Sequence, residues 1–160
     1  MKYPLIAKNL FSQRRKGLFV INSEEDVKNI LLTSHSSRFI LQSKIEIEKE
    51  FRLVVMGGKV VAIHKEAPRK FVDNKISFDE GESSGGWVEP ESVSREMINL
   101  SIETSKTLGL DVAGIDACIE KETGKIFIIE VNWGPGLTLD DKISSELPGL
   151  LGFIKDSVNK

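Results

Sequence analysis

The chain has 160 residues, 40% hydrophobic and 29% charged, with 22 basic against 24 acidic side chains and a net charge of −2. That length suits one ordinary domain or two small lobes, and the balanced charge excludes the basic bias that drives non-specific nucleic-acid binding. A single cysteine, Cys118, excludes an internal disulfide, and no apolar run approaches the ~18 residues of a membrane span or has the setting of a signal peptide, so a cytoplasmic protein with no membrane attachment is expected.

Residues 3–9 and 17–22 read as two strands around the polar run Ser12-Gln13-Arg14-Arg15-Lys16, a hairpin with a basic tip. Ser23-Glu24-Glu25-Asp26 has the form of a helix start, a hydroxyl followed three residues later by an acid, with Val27, Ile30 and Leu31 as the buried face. A polar loop at 33–37 leads to a strand at 38–43. Residues 51–56 and 59–65 form a hairpin around Gly57-Gly58, residues that tolerate the positive φ of a tight turn. The stretch 66–86 is mostly polar and reads as a long flexible loop. Pro90 and Gly109 bracket a helix in which Val93, Met97, Ile98, Ile102 and Leu108 recur at helical spacing. Residues 111–120 and 125–132 make a further hairpin, and 147–158 a short covering helix.

The chemistry concentrates in that last hairpin. If Glu120 pairs with Ile126, counting along antiparallel strands sets Asp116 opposite Glu130, with Cβ atoms about 4.5–5.5 Å apart. Two carboxylates so close repel unless a proton or cation lies between them. Asn132, two residues beyond Glu130, shares its face, and this oxygen set suits Mg²⁺ or Mn²⁺ completed by water or phosphate. The alternative reading of the same spacing is a solvated hairpin face, and a one-residue slip would part the acids. Arg52 alternates with Phe51 and Leu53, so it points away from the face they bury; a phosphate contact through its planar donor fork and a cross-strand ion pair with Glu50 or Glu66 are both open. His35 and His64 have no second histidine or cysteine at zinc-ligand spacing. Cys118 shares the Asp116 face as a structural thiol, and Trp87 and Trp133 are expected to pack.

The run LGLDVAGIDACIE (108–120) followed by IFIIEVNWGPGL (126–137) resembles the metal-binding segment of ATP-grasp enzymes, RimK-like carboxylate-amine ligases in particular. The resemblance implies that Asp116, Glu130 and Asn132 hold the Mg²⁺ (or Mn²⁺) that bridges ATP phosphates. It makes residues 4–8 the strand whose lysine, Lys8, contacts phosphate, and residues 10–18 the phosphate loop, with Lys16 and Gly17. Residues 39–45 are similar to the hinge that reads adenine, through Gln42, Ser43, Lys44 and Ile45. Glu50-Phe51-Arg52 matches the acid-x-Arg strand, Glu50 on the nucleotide side and Arg52 in a catalytic role, with Lys65 and Arg69 as further basic phosphate or substrate contacts. Three departures stand out: the phosphate loop keeps only Gly17 of several glycines, the hinge has Ser43-Lys44 where an acid and an aromatic residue are common, and the similarity starts at the lysine strand.

The implied fold is α+β, an ATP-grasp fold of antiparallel sheets with packed helices and a truncated N-terminal part, divided into a partial lobe at 1–47 and a larger lobe at 48–160 with ATP between them. The implied function is an ATP-dependent carboxylate-amine ligase that works through an acyl phosphate. The implied partners are ATP, carboxylate and amine substrates or a substrate peptide, and a missing N-terminal domain or partner chain. A nucleotide-binding or assembly module without its own ligase activity, and a small-molecule kinase using the same ATP site, are the alternatives.

Overall fold

A computed structural model describes residues 2–11, 17–33, 38–67, 70–72, 75–77, 85–138 and 140–159. Two compact units emerge, Met1–Glu46 with Arg69–Glu82, and Ile47–Pro68 with Ser83–Lys160. The first unit is thus discontinuous: a later segment returns to it, where the sequence suggested an unbroken second lobe from residue 48 onward.

In the first unit, β1 (Leu5–Asn9), β2 (Leu18–Ile21), β3 (Phe39–Ser43), β6 (Lys70–Val72) and β7 (Lys75–Ser77) form one antiparallel sheet in the order β3-β1-β2-β7-β6. Helix α1 (Glu24–Thr33) follows β2. Its start is the reciprocal cap expected: Asp26 N–H donates to Ser23 Oγ at 3.3 Å, and Ser23 N–H donates to Asp26 Oδ2 at 3.1 Å. Leu5, Ala7 and Ile21 make the small core, with Val27 and Ile30 of α1 against them and Phe19 edge-on to Phe39. Leu31, expected in that buried face, is exposed. The strands β6 and β7 correct the reading of 66–86 as one loop. Phe71-Val72 and Ile76 are strand-forming residues around Asp73-Asn74, a turn-favouring pair that the polar composition of the stretch obscured.

The second unit is built on β4 (Ile47–Met56), β5 (Lys59–Lys65), β8 (Gly86–Val88), β9 (Val112–Glu120) and β10 (Ile126–Asn132), an antiparallel sheet in the order β10-β9-β4-β5-β8. Helix α2 (Arg95–Thr107) covers one face, where Met97 packs on Phe51, Leu53, Ile63 and Ala117, all essentially buried. Pro90 does not start this helix. It opens a separate 3₁₀ turn (Pro90–Ser92), Val93 is extended, and the helix begins after Ser94, whose Oγ accepts the Met97 N–H at 3.2 Å. Leu108 is the C-cap residue and exposed, so it does not continue the apolar face.

Helix α3 (Glu146–Val158) covers part of the opposite face, where Leu150 and Phe153 meet Val54, Met56 and Ala62. Two glycines permit this approach. A Cβ on Gly149 would lie 2.5 Å from Val61 Cβ, and one on Gly57, which turns the β4–β5 hairpin at φ +56°, would lie 2.8 Å from the Phe153 ring. The Glu50–Arg52 end of β4 carries the candidate site on this same side. Among the described residues no helix is long and apolar enough to cross a membrane.

Candidate functional site

Strand pairing lines up five side chains across the second sheet. Glu130 on β10 faces Asp116 on β9, Asp116 faces Arg52 on β4, Arg52 faces His64 on β5, and His64 faces Trp87 on β8. Paired residues share a face of the pleat, so the row is a direct product of register. The acids meet by a route different from simple counting. Ile126 pairs with Ile119, one residue short of Glu120, and Ile129 is an extra residue on β10 that shifts the register back before Glu130. The bulge lets Ile128 and then Val131 face the α2 side, which turns Glu130 and Asn132 to the other side. Gly114, opposite Asn132, leaves space for Pro135; a Cβ there would sit 3.1 Å from the proline Cβ.

Arg52 is the centre of the row, and its partner is neither of the two acids expected from sequence. Its Nε donates to Asp116 Oδ1 at 2.7 Å and its Nη2 to Asp116 Oδ2 at 2.9 Å, a two-pronged charge-assisted pair. The Asp116 side chain is only 8% exposed, and that of Arg52 is 36% exposed. These hydrogen bonds push the guanidinium above its ordinary value, against the opposing effect of partial burial; the charges of Asp116, Glu66 and Glu130 act in the same raising direction. A raised base contributes its stability fully below the unfolded value and loses it only as pH rises through the folded one, so the guanidinium's contribution does not change across the neutral range. On the other flank, Glu66 Oε1 lies 2.9 Å from His64 Nδ1, and the His64 ring stands edge-on to Trp87 at 5.1 Å between centroids.

The remaining expected residues are dispersed. Glu50 is buried on β4, Lys65 is exposed at the end of β5, and Asn132 Oδ1 accepts the Gly134 N–H at 3.1 Å. In the first unit, Lys8 lies on β1 between Leu18 and Ile40, Gly17 closes the hairpin at φ +82° with its carbonyl accepting from Asn9, and Gln42 and Ser43 lie on β3, an edge strand. Lys44 pairs with Glu46, its own N–H reaches the Pro4 carbonyl, and Ile45 follows the strand end. Lys16 and Arg69 lie outside the described residues. Trp133 does not pack as expected; it is 80% exposed beside Asn132. Glu66, read from sequence as one of two candidate ion-pair partners of Arg52, meets His64 instead, just past the end of β5.

A family comparison matches the RimK-like ATP-grasp domain to residues 1–146. The chain belongs to the RimK-like ATP-grasp family. The coenzyme gamma-F420-2:alpha-L-glutamate ligase of Methanococcus maripaludis is 28% identical over 85% of this chain and 46% of its own length. The D-alanine–D-alanine ligase of Aquifex aeolicus is 29% identical over 86% and 48%. The chain therefore spans about half the length of these relatives. Among solved structures, the D-alanine–D-alanine ligase of Bacillus anthracis complexed with ATP shares the ATP-grasp fold at a TM-score of 0.63 and 19% identity, over 86% of this chain and 45% of that one.

For a RimK-like ATP-grasp chain the donor set is chemically apt. Two carboxylates and an amide on neighbouring strands are hard oxygen donors. Among the described residues no group of three or more His, Cys, Asp or Glu side chains is placed to hold a metal ion.

Proposed function

We propose that this chain is the ATP- and Mg²⁺-binding core of a carboxylate-amine ligase. The observation that carries the reading is the row in which Asp116 stands between Glu130 and Arg52 on paired strands. It brings a cation-holding pair and a phosphate-seeking guanidinium together on one rigid sheet. Asp116, Glu130 and Asn132 are the residues that would hold a divalent cation, whose chemistry is to neutralise polyphosphate charge. Lys8, the loop before Gly17 and the β3 edge are the elements assigned to the nucleotide by family resemblance.

In the reaction proposed, a substrate carboxylate oxygen attacks the γ-phosphorus and ADP leaves. The amine then attacks the acyl carbon, losing a proton as inorganic phosphate departs, and an amide or isopeptide bond remains. Arg52, on a strand whose backbone is fixed by β4–β9 pairing, would offer in-plane donors to the transferring phosphoryl oxygens. Glutamate as one substrate is suggested by the name of the Methanococcus relative. The test is Mg²⁺-dependent phosphate release from ATP in the presence of carboxylate and amine candidates. Activity that falls in Asp116→Asn and Glu130→Gln supports the ligase reading. Activity unchanged in both contradicts it, and ATP binding without turnover under every substrate combination points to the nucleotide-binding module instead.

A further inference from the structure

The two groups at the heart of the row neutralise one another. Both oxygens of Asp116 accept from Arg52, at 2.7 and 2.9 Å, and the carboxylate is almost entirely buried. A cation approaching Asp116 from the Glu130 side must therefore compete with a bound guanidinium for the same lone pairs. A guanidinium cannot step aside by losing its proton. It leaves only by moving.

A place to move to lies across the row. Arg52 is paired on its other flank with His64, and Glu66, just past the end of β5, adds an attractive field at Arg52 from that side. The Glu66 carboxylate is held by His64 Nδ1 at 2.9 Å, with the His64 ring steadied against Trp87. The guanidinium is thus docked on Asp116 of β9, with the Glu66 carboxylate held by His64 on the side of its other neighbouring strand, β5.

We propose that Arg52 is a latch on the cation site: a divalent cation at Asp116 and Glu130 displaces the guanidinium toward the Glu66 side, and the freed donors become available to phosphate. The proposal rests on the reading of Asp116 and Glu130 as cation ligands. It makes loading of the cation the event that arms Arg52, so that the phosphate contact and the metal contact are ordered rather than independent.

The test uses Mn²⁺ alone, without nucleotide, titrated by calorimetry into the wild-type chain and into Arg52→Gln, Arg52→Lys and Asp116→Asn. The latch predicts that Arg52→Gln tightens Mn²⁺ binding about tenfold or more, that Arg52→Lys tightens it less because an ammonium keeps one point contact, and that Asp116→Asn loses it. Arg52→Gln and Arg52→Lys binding no tighter than wild type, while Asp116→Asn still loses the ion, overturns the latch and leaves the cation site standing. No Mn²⁺ bound by wild type or either arginine variant overturns both. Should Arg52→Gln fail to fold, the wild-type chain answers by itself: the Arg52 Nε–H resonance shifts as Mg²⁺ is added if the latch opens, and stays unmoved at saturating Mg²⁺ if it does not.

Discussion

The two units hold their candidate residues in different ways. In the second, Asp116 and Arg52 lie on β9 and β4, interior strands paired on both sides, so backbone register alone fixes one opposite the other. In the first, Gln42 and Ser43 lie on β3, at the margin of the sheet and exposed. An interior strand positions side chains, whereas an edge strand leaves backbone donors and acceptors on offer. On the proposed reading the charged row serves side-chain chemistry and the β3 edge backbone recognition, and substitutions separate the two.

The largest contrast is expected in nucleotide binding. Glu130→Gln removes a charged oxygen from the row and should weaken Mg²⁺-dependent ATP binding by about a hundredfold, the scale of one lost charged contact. Ser43→Ala, which leaves the β3 backbone intact, should change it less than about threefold. Equal losses in the two variants would mean that the side chains of β3 matter as much as those of the row.

Stability gives the next contrast, because the cores differ in depth. Leu53 is fully buried between β4 and α2, and Leu53→Ala should cost about 2–5 kcal/mol in urea unfolding. Leu5 belongs to the smaller core of the first unit and is 6% exposed, which places Leu5→Ala at the low end of that range. A larger loss for Leu5→Ala would reverse the ranking of the two cores. Helix caps supply the smallest effect. Ser94→Ala and Ser23→Ala each remove an oxygen that accepts a backbone N–H at a helix start, and each should cost about 1 kcal/mol; a null effect at Ser23 alone would mark α1 as the less dependent helix.

Legibility in the sequence followed the range of the forces involved. The Gly57-Gly58 hairpin and the Ser23–Asp26 cap are local, and the residues around them suffice to read them. Asp116 and Glu130 were expected opposite one another on a register one residue out, and the bulge at Ile129 supplied the missing shift. Its trace is the change of parity between Ile128 and Val131, visible in IFIIEVN once both are required to face the core. The Arg52–Asp116 pair joins residues 64 apart through β4–β9 pairing, which no local spacing reports. The β6–β7 hairpin was hidden for another reason: three-residue strands in a polar stretch gain stability by joining an existing sheet, as β7 does through Phe19 and Lys75, and carry little periodicity of their own. Trp133 was misread because an aromatic residue is more often packed than exposed.

The central claim is that the row is a working cation and phosphate site, and calorimetric titration of ATP into the purified chain with and without Mg²⁺ tests it most directly. Binding that strengthens with Mg²⁺ is the predicted result. Absence of binding at millimolar ATP in the presence of Mg²⁺ would contradict the claim and leave an ATP-grasp fold in which Arg52 and Asp116 serve only to hold the sheet together.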